Sequence, residues 1–490
     1  MSELSLPLEL LPEQALLSFI SAQRWFGSRS GEVAALRILD RAELRGGSPA
    51  LIDALVEIRH GSGGAEVYQL ILGLREDGGG EGRNAGQSGS PASNQAAKQP
   101  LNQTPNHTGN PPGDQTIATA GGWSSYEAFT DPLFARELVH RLGTGAVLPA
   151  GEGRIEFCVA GGEPSAGSEP RRVRVLGLEQ TNSSIVLDDE LIVKVFRRIE
   201  AGVNPELEML TFFATHGYGN VPRLRGWWSY AAPLMSASLG VVQQFMPDAV
   251  DGWSRALEEL GSDPELFLRR LRRLGEVIGE MHAVLASETQ DPAFAPEEAS
   301  EESFALLLAT IDEEIEKVFC SLPDTASVAC LRGRGDEVRD LLRALSSAGS
   351  VGRRIRTHGD LHLGQLLWAG EDWFVIDFEG EPARPLHERR LKQSPLRDVA
   401  GILRSFTYAS AAASILDPEI ETRARAELLE GYWHSLRGTA VLPPRETAER
   451  LVRIFELEKA IYELRYELAH RPDWVAIPVA GILRLLEEPL

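Results

Sequence analysis

RTHGDLHLGQLLWAGEDWFVIDFEG, residues 356–380, places Asp360 ahead of His362 and Gln365 and brings in Asp377 and Glu379 after the apolar run Trp373–Ile376. A carboxylate able to take a hydroxyl proton and hard oxygen ligands suited to magnesium, carried on two adjacent segments, are the parts that phosphoryl transfer requires. Asp360 is the candidate base. Gln365 and Asp377 are the candidate metal ligands, with Asp377 expected at a strand end. His358 and His362 raise the question of zinc, but no third soft ligand lies near them, and two histidines four apart on a loop rarely make a structural zinc site. They read instead as residues that shape the loop, and Asp398 as one that anchors it or caps the following helix.

The rest of the composition bounds the function classes. A chain of 490 residues has room for roughly two to four structural units and at least one large core. Its 43% hydrophobic and 24% charged residues are ordinary for a soluble globular protein. A formal net charge of -22 and a pI near 5.0 argue against a general nucleic-acid or anionic-membrane binder, because the long-range field repels phosphates. A nucleotide still binds such a protein if lysine and magnesium neutralise it locally. Cys158, Cys320 and Cys330 are an odd, scattered set without metal spacing and read as reduced or buried thiols of a cytoplasmic protein. No basic leader with an apolar core and no apolar run of about 18 residues is present, so neither secretion nor membrane spanning is expected.

The N-terminal end holds an amphipathic segment, Leu10–Phe19, then Arg24-Trp25-Phe26-Gly27 and strand-like runs at Val33–Leu39, Ala54–Arg59 and Glu66–Leu74, with a hairpin turn near Gly61–Gly64. From Asp77 to about Gly122 the chain is Gly, Ser, Asn, Gln and Pro with few bulky apolar residues. Such a segment buries too little surface to offset backbone entropy, and a mobile insertion is expected there. Helical character is expected to resume over Trp123–Leu142. Short strands follow at Arg172–Leu178, Ser184–Leu187 and Leu191–Phe196, with Asp188-Asp189 at a tight turn. Asn204 is placed to cap a helix that begins at Pro205, and Gly240–Phe245 reads as a further strand. Beyond Gly252 the pattern is helical, with Leu271, Leu274, Ile278, Met281 and Leu285 on one face and Phe304, Leu307, Ile311, Ile315, Phe319 and Leu322 on another. The expected fold class is α+β, with two lobes and a cleft between them. An α/β cap over 1–140 carries the insertion 77–122, a strand-rich lobe spans 141–247, and a mainly helical lobe spans 248–490.

These residues resemble the aminoglycoside-phosphotransferase and eukaryotic-protein-kinase-like superfamily, and within it the bacterial maltokinases. The matching stretches are Gln180-Thr181-Asn182-Ser183-Ser184, Leu191–Arg198, Gly202–Glu208, His358–Gln365, Ile376–Pro382 and Ser394–Gly401, together with Arg24-Trp25-Phe26-Gly27 in the cap. The resemblance covers nearly the whole chain outside Asp77–Gly122. It implies a bilobal protein-kinase-like fold, ATP and Mg2+ as cofactors, and transfer of the γ-phosphate to the anomeric hydroxyl of maltose, giving maltose 1-phosphate for α-glucan and glycogen synthesis. A glucosamine kinase or another sugar or aminoglycoside kinase is the enzymatic alternative; Glu379-Gly380-Glu381-Pro382 reads closer to the maltokinase form. Trehalose synthase becomes a candidate partner of a stand-alone enzyme, while monomer and homodimer both stay open. A protein kinase would need a peptide-docking segment after Asp377, and a pseudokinase binding module would be expected to lack one of Lys194, Asp360, Gln365 or Asp377.

Within that frame Asp360 would accept or orient the proton of the attacking hydroxyl. Lys194 would reach the α- and β-phosphates as a point charge. Its acidic partner would be Glu206 or Glu208, which differ by about 200° around a helix, and Glu208 is favoured. No Gly-x-Gly-x-x-Gly precedes Lys194; Ser183 and Ser184 lie in the segment that stands where a phosphate-covering loop belongs. Gln244-Phe245-Met246 is the candidate interlobe segment for adenine. For the acceptor the candidates are Glu379, Glu381, Arg384 and Arg390, with Tyr462, Tyr466 and Trp474 as aromatic platforms that could equally be core or rim.

Overall fold

A computed structural model of the chain describes residues 11–27, 33–77, 116–162, 170–176, 182–346, 351–413 and 418–488. These residues fall into two compact units: one of residues up to 211 with 222–247, the other of 212–221 with 248 onward.

The first unit is built on two antiparallel sheets. In the first sheet the strand order is Val33–Arg45, Ala50–His60, Ala65–Glu76, Trp123–Glu127, Thr116–Ala120. Ala50–His60 is buried along nearly its whole length, as its near-continuous apolar run requires of a strand covered on both faces. Leu16, Phe19 and Ile20 of the helix Glu13–Ser21, with Trp25 and Phe26, complete the core on one side. Inside this sheet Gln69 Nε2 donates to Asp53 Oδ2 at 2.8 Å, and burial pushes the Asp53 carboxyl up to about 7.

Two expectations fail here. Trp123–Glu127 is a strand rather than the start of a helix, and the helix begins only at Pro132, where Asp131 accepts from the Leu133 amide. Thr116–Ala120, expected inside a mobile insertion, pairs with that strand through a Gly121-Gly122 turn. Both glycines have positive φ, the conformation a tight hairpin needs, and Ser124, Ser125 and Tyr126 gain burial against Ala65–Glu76. Residues 78–115, the rest of that insertion, lie outside the described residues.

The second sheet has the order Val147–Pro149, Arg154–Val159, Leu224–Ala231, Ser236–Gln244, Leu191–Phe196, Asn182–Leu187, Val173–Val175. Leu191–Phe196 lies between Asn182–Leu187 and Ser236–Gln244, with Lys194 opposite Ser184 on one side and Val241 on the other. Asp188 and Asp189 turn the hairpin with φ of 50° and 56°, the conformation of a two-residue primed turn. Beyond Phe196 the same segment joins the first sheet, where Arg198–Ile199 pair with Val67–Tyr68. Arg197, 2% exposed, sits at the junction. It donates to Ser183 Oγ (2.7 Å) and Glu127 Oε1 (3.0 Å) and lies over the rings of Trp25 and Phe129.

The second unit is mainly helical, with a three-stranded sheet in the order Val250–Asp251, Leu366–Ala369, Asp372–Val375. Its axis is the helix Pro264–Leu285, whose Leu271, Leu274, Ile278, Met281 and Leu285 are fully buried. Gly275 lets this helix approach Pro418–Ser435 closely, since a Cβ there would stand 2.0 Å from the Leu428 carbonyl oxygen. In Glu301–Cys320 the expected apolar face is buried only in part: Ile311, Ile315 and Val318 are inside, while Phe304, Leu307 and Phe319 are half-buried. Among the described residues no helix is long and apolar enough to cross a membrane.

Candidate functional site

The first unit supplies a buried charged cluster. Lys194 Nζ lies 2.7 Å from Glu206 Oε2, and Gln243 Nε2 donates to Glu206 Oε1 at 2.7 Å. Asn204 sets the helix start that places Glu206: its Oδ1 accepts from the Glu206 amide (2.8 Å), and its own amide donates to Ser238 Oγ (3.0 Å). The Lys194 pair therefore falls to Glu206, correcting the preference for Glu208. The two positions differ by about 200° around the helix, and the cap at Asn204 with the buried Leu207, Met209 and Leu210 determines which one meets the strand. Ser183 Oγ is engaged by Arg197, and Ser184 is buried opposite Lys194. The amide of Gln244 donates to Arg223 O and that of Phe245 to Glu190 O; Met246 follows, half-buried.

In the second unit the stretch around Asp360 is held from beneath. Asp398, buried in the first turn of the helix Leu396–Ala412, accepts from the His358 amide (2.8 Å) and the Gly359 amide (3.0 Å). It also faces His282 Nε2 at 3.2 Å, and His282 Nδ1 lies 2.9 Å from Tyr432 Oη. Burial raises the Asp398 pKa, but the hydrogen bond from His282, with that from the Gly359 amide, outweighs it. The carboxyl stays below its ordinary value. Gly401 permits this seating, since a Cβ on it would stand 2.6 Å from the Leu361 carbonyl oxygen.

His358 and His362 both act within the loop. His358 Nε2 lies 2.9 Å from Ile376 O, and its Nδ1 accepts from the Asp360 amide at 3.3 Å. His362 Nδ1 accepts from the Gly364 amide at 3.0 Å. The two functional segments are then stitched together: Ile376 N donates to Gln365 O (3.0 Å), and Gln365 Nε2 donates to Asp377 Oδ2 (2.9 Å). Asp377 has a φ of 65°, a left-handed conformation that an aspartate adopts only at some cost in strain. Carboxylate oxygens of Asp377 and Glu379 come within 4.8 Å of each other. Asp377 and Glu379 thus offer carboxylate oxygens of the kind that suits Mg2+, and Gln365 is tied to them through its amide nitrogen.

Asp360 opens onto a cavity of about 380 Å³, within the range of small-molecule sites. Glu381, Arg384, Lys459 and Tyr462 also line it. Four of its carboxylates are matched to cations: Glu381 to Arg384 (2.8 Å), Glu458 to Arg397 (3.0 Å), Glu314 to Arg465 (2.7 Å) and Asp360 to Lys459 (3.5 Å).

The structure thus brings Asp360, Glu381, Arg384 and Tyr462 to one cavity. It does not bring Glu379, Arg390, Tyr466 or Trp474 to that wall. Glu379 is buried beside Asp377, and Arg389, not Arg390, lines the cavity. Tyr466 lies one turn beyond Tyr462 on the helix Arg445–His470; it is 41% exposed and stacked between Tyr462 and His470. Trp474 stacks on Tyr408 instead. Sequence reasoning missed Lys459 and His282. Lys459 precedes Tyr462 by three positions, one helical turn, and that spacing was the available signal. His282 follows Met281 on a helix whose other buried residues are apolar or glycine, a pattern that does not reveal its partner.

Residues 163–438 match the family described as Phosphotransferase enzyme family, and residues 19–94 match the Maltokinase N-terminal cap domain. A glucosamine kinase of Mycolicibacterium smegmatis is 28% identical over 339 residues, 66% of this chain and 82% of that protein. A glucosamine kinase of Streptacidiphilus jiangxiensis is 26% identical over 333 residues, 64% of this chain and 73% of that protein. Among solved structures, a glucosamine kinase in complex with glucosamine, ADP and inorganic phosphate superposes with a TM-score of 0.66 at 19% identity, over 97% of this chain and 99% of that one. The fold is accordingly α+β and kinase-like, with a sheet-rich N-terminal part and a helical C-terminal part.

Proposed function

The chain belongs to the Phosphotransferase enzyme family, and on that premise we propose that it is a sugar kinase, transferring the γ-phosphate of ATP to the anomeric hydroxyl of maltose to give maltose 1-phosphate. The observation that carries this reading is the cavity at Asp360, whose carboxylates are largely matched by arginine and lysine. Such a wall offers many hydrogen-bonding groups and little unbalanced charge, which suits a neutral polyol better than a cation. The cap-domain match favours the same acceptor.

In this reading Asp360 orients the attacking hydroxyl and takes its proton as the phosphoryl group transfers. Tyr462 offers a flat surface to a sugar ring, and Glu381 and Arg384 offer hydrogen bonds to its hydroxyls. Lys194, positioned by Glu206, neutralises the α- and β-phosphates. With the Gln244 and Phe245 amides committed to Arg223 and Glu190, the backbone at Met246 is the contact assigned to adenine. Gln365 and Asp377, with Glu379 beside them, would hold Mg2+, which when bound neutralises phosphate charge. His358, His362 and Asp398 keep the Asp360 loop in shape. The product would feed α-glucan synthesis in the cytoplasm, with trehalose synthase as the candidate partner.

A second reading, glucosamine as acceptor, is favoured by the names of the two curated relatives. Purified protein with ATP, Mg2+ and, separately, maltose, glucosamine, glucose or kanamycin separates the two. We expect ADP release fastest with maltose and loss of the sugar's reducing end, since phosphorylation of the anomeric hydroxyl blocks ring opening. Faster turnover of glucosamine would replace the acceptor, and no turnover of any sugar would end the kinase reading.

A further inference from the structure

The cavity contains one cation whose position has a consequence for the choice of substrate. Lys459 lies on the helix Arg445–His470, and its Nζ stands 3.5 Å from Oδ1 of Asp360, the carboxylate assigned to the reacting hydroxyl. The same ammonium lies 5.7 Å from the centre of the Tyr462 ring, so it borders the surface on which a sugar would rest. Burial works against its charge, but Asp360, Glu463 and Glu381 together raise the Lys459 pKa above its ordinary value. The group is therefore a standing positive charge at the acceptor end of the cavity. Of the other lining carboxylates, Glu381 is engaged by Arg384, Glu458 by Arg397, Glu314 by Arg465 and Asp398 by His282 and two loop amides, while the charge of Glu388 acts on Arg384.

We propose that Lys459 is a specificity-determining residue of the acceptor cavity: its ammonium admits a neutral sugar to Asp360 and disfavours one that carries its own ammonium beside the reacting hydroxyl. The inference rests on the sugar-kinase reading and sharpens it to a charge class of acceptor. Like charges brought within a few ångströms in a partly desolvated site repel strongly, and this repulsion acts on an amino sugar and not on maltose. The lysine can also donate to a sugar hydroxyl, so its removal costs the neutral substrate something while relieving the cationic one.

The test is the ratio of kcat/KM for glucosamine to that for maltose in the wild type, K459M and K459R. K459M keeps the aliphatic stem against Tyr462 and removes the charge; K459R keeps the charge. We expect K459M to raise the ratio at least tenfold, about the effect of one unmatched charge contact, and K459R to leave it near the wild-type value. A ratio that stays within about twofold in K459M, with both sugars losing activity alike, overturns the proposal. Thermal unfolding midpoints check that the variants fold, and K459Q carries the same expectation if K459M does not. The shift is read whichever sugar the wild type prefers: a wild-type preference for glucosamine defeats the maltose reading, while an unshifted ratio defeats the role of Lys459. If neither sugar turns over, calorimetric affinities for the two sugars give the same ratio, and equal effects of K459M on both affinities, or no binding at all, overturn it.

Discussion

The side chains of Lys194 and Glu206 in the first unit are 9% and 4% exposed and meet at 2.7 Å, whereas those of Lys459 and Asp360 in the second are 38% and 26% exposed and meet at 3.5 Å. The first pair is closed by a third partner, Gln243, and each charge depends on the other because water cannot replace it. The second pair is longer and only partly exposed, so it contributes less to stability than the buried one. The difference separates two tasks. A group that presents a fixed charge is best locked, and a group that must release its partner to a substrate hydroxyl is best left open. The rigidity the open pair lacks is supplied one layer below, where Asp398 holds the backbone of the Asp360 loop.

Five substitutions would break or sharpen this contrast. Asp360→Asn should have the largest effect, lowering kcat by about a thousandfold, within the range for a lost general base, while ATP affinity and the unfolding midpoint stay near wild type. Coupled ADP-release kinetics and nucleotide titration check it. Glu206→Ala should instead be read in stability. It removes the 2.7 Å carboxylate partner of a buried lysine, and urea unfolding should show a loss of about 3–5 kcal/mol, as for other broken buried pairs. A Glu206→Ala variant as stable as the wild type would remove the distinction between the two pairs.

Asp398→Asn should cost about 1–3 kcal/mol, because the amide keeps one acceptor oxygen but turns an NH2 toward a donor that the carboxylate had satisfied. Its pH dependence has a definite sign. The folded Asp398 pKa is depressed, so its contribution is complete above the unfolded value of about 3.9 and is lost as pH falls through the lower folded value. The stability gap between wild type and Asp398→Asn should therefore be constant near neutrality and close in acid, as denaturant curves across that range would reveal. The smallest effect belongs to Tyr466→Ala, which should change kcat/KM for maltose by less than about twofold, whereas Tyr462→Ala should raise KM severalfold by removing a cavity wall. Equal effects of the two would extend the acceptor site along the helix.

Much of the candidate site was legible because its parts are close in sequence. Asp360, Gln365 and Asp377 fall within 18 residues, and the strand Leu191–Phe196 and the Asn204 cap carry their own local signatures. Where the reading failed, a longer-range choice had been made. Trp123–Glu127 is a strand because Ala65–Glu76 offers it a pairing edge. Glu206 rather than Glu208 meets Lys194 because packing sets the rotation of its helix. Tyr466 and Trp474 have the chemistry of sugar platforms but occupy stacks of their own, with His470 and Tyr408.

The sequence by itself determined the chemistry on offer: the carboxylate, the amide and carboxylate oxygens and the strand lysine, each placed by turn and strand patterns that act over a few residues. Only the tertiary structure decided the partners. Lys459 reaches Asp360 across 99 positions and His282 reaches Asp398 across 116. No local pattern encodes such pairings, because they depend on how helices pack, and packing is settled by the shapes of many buried side chains at once.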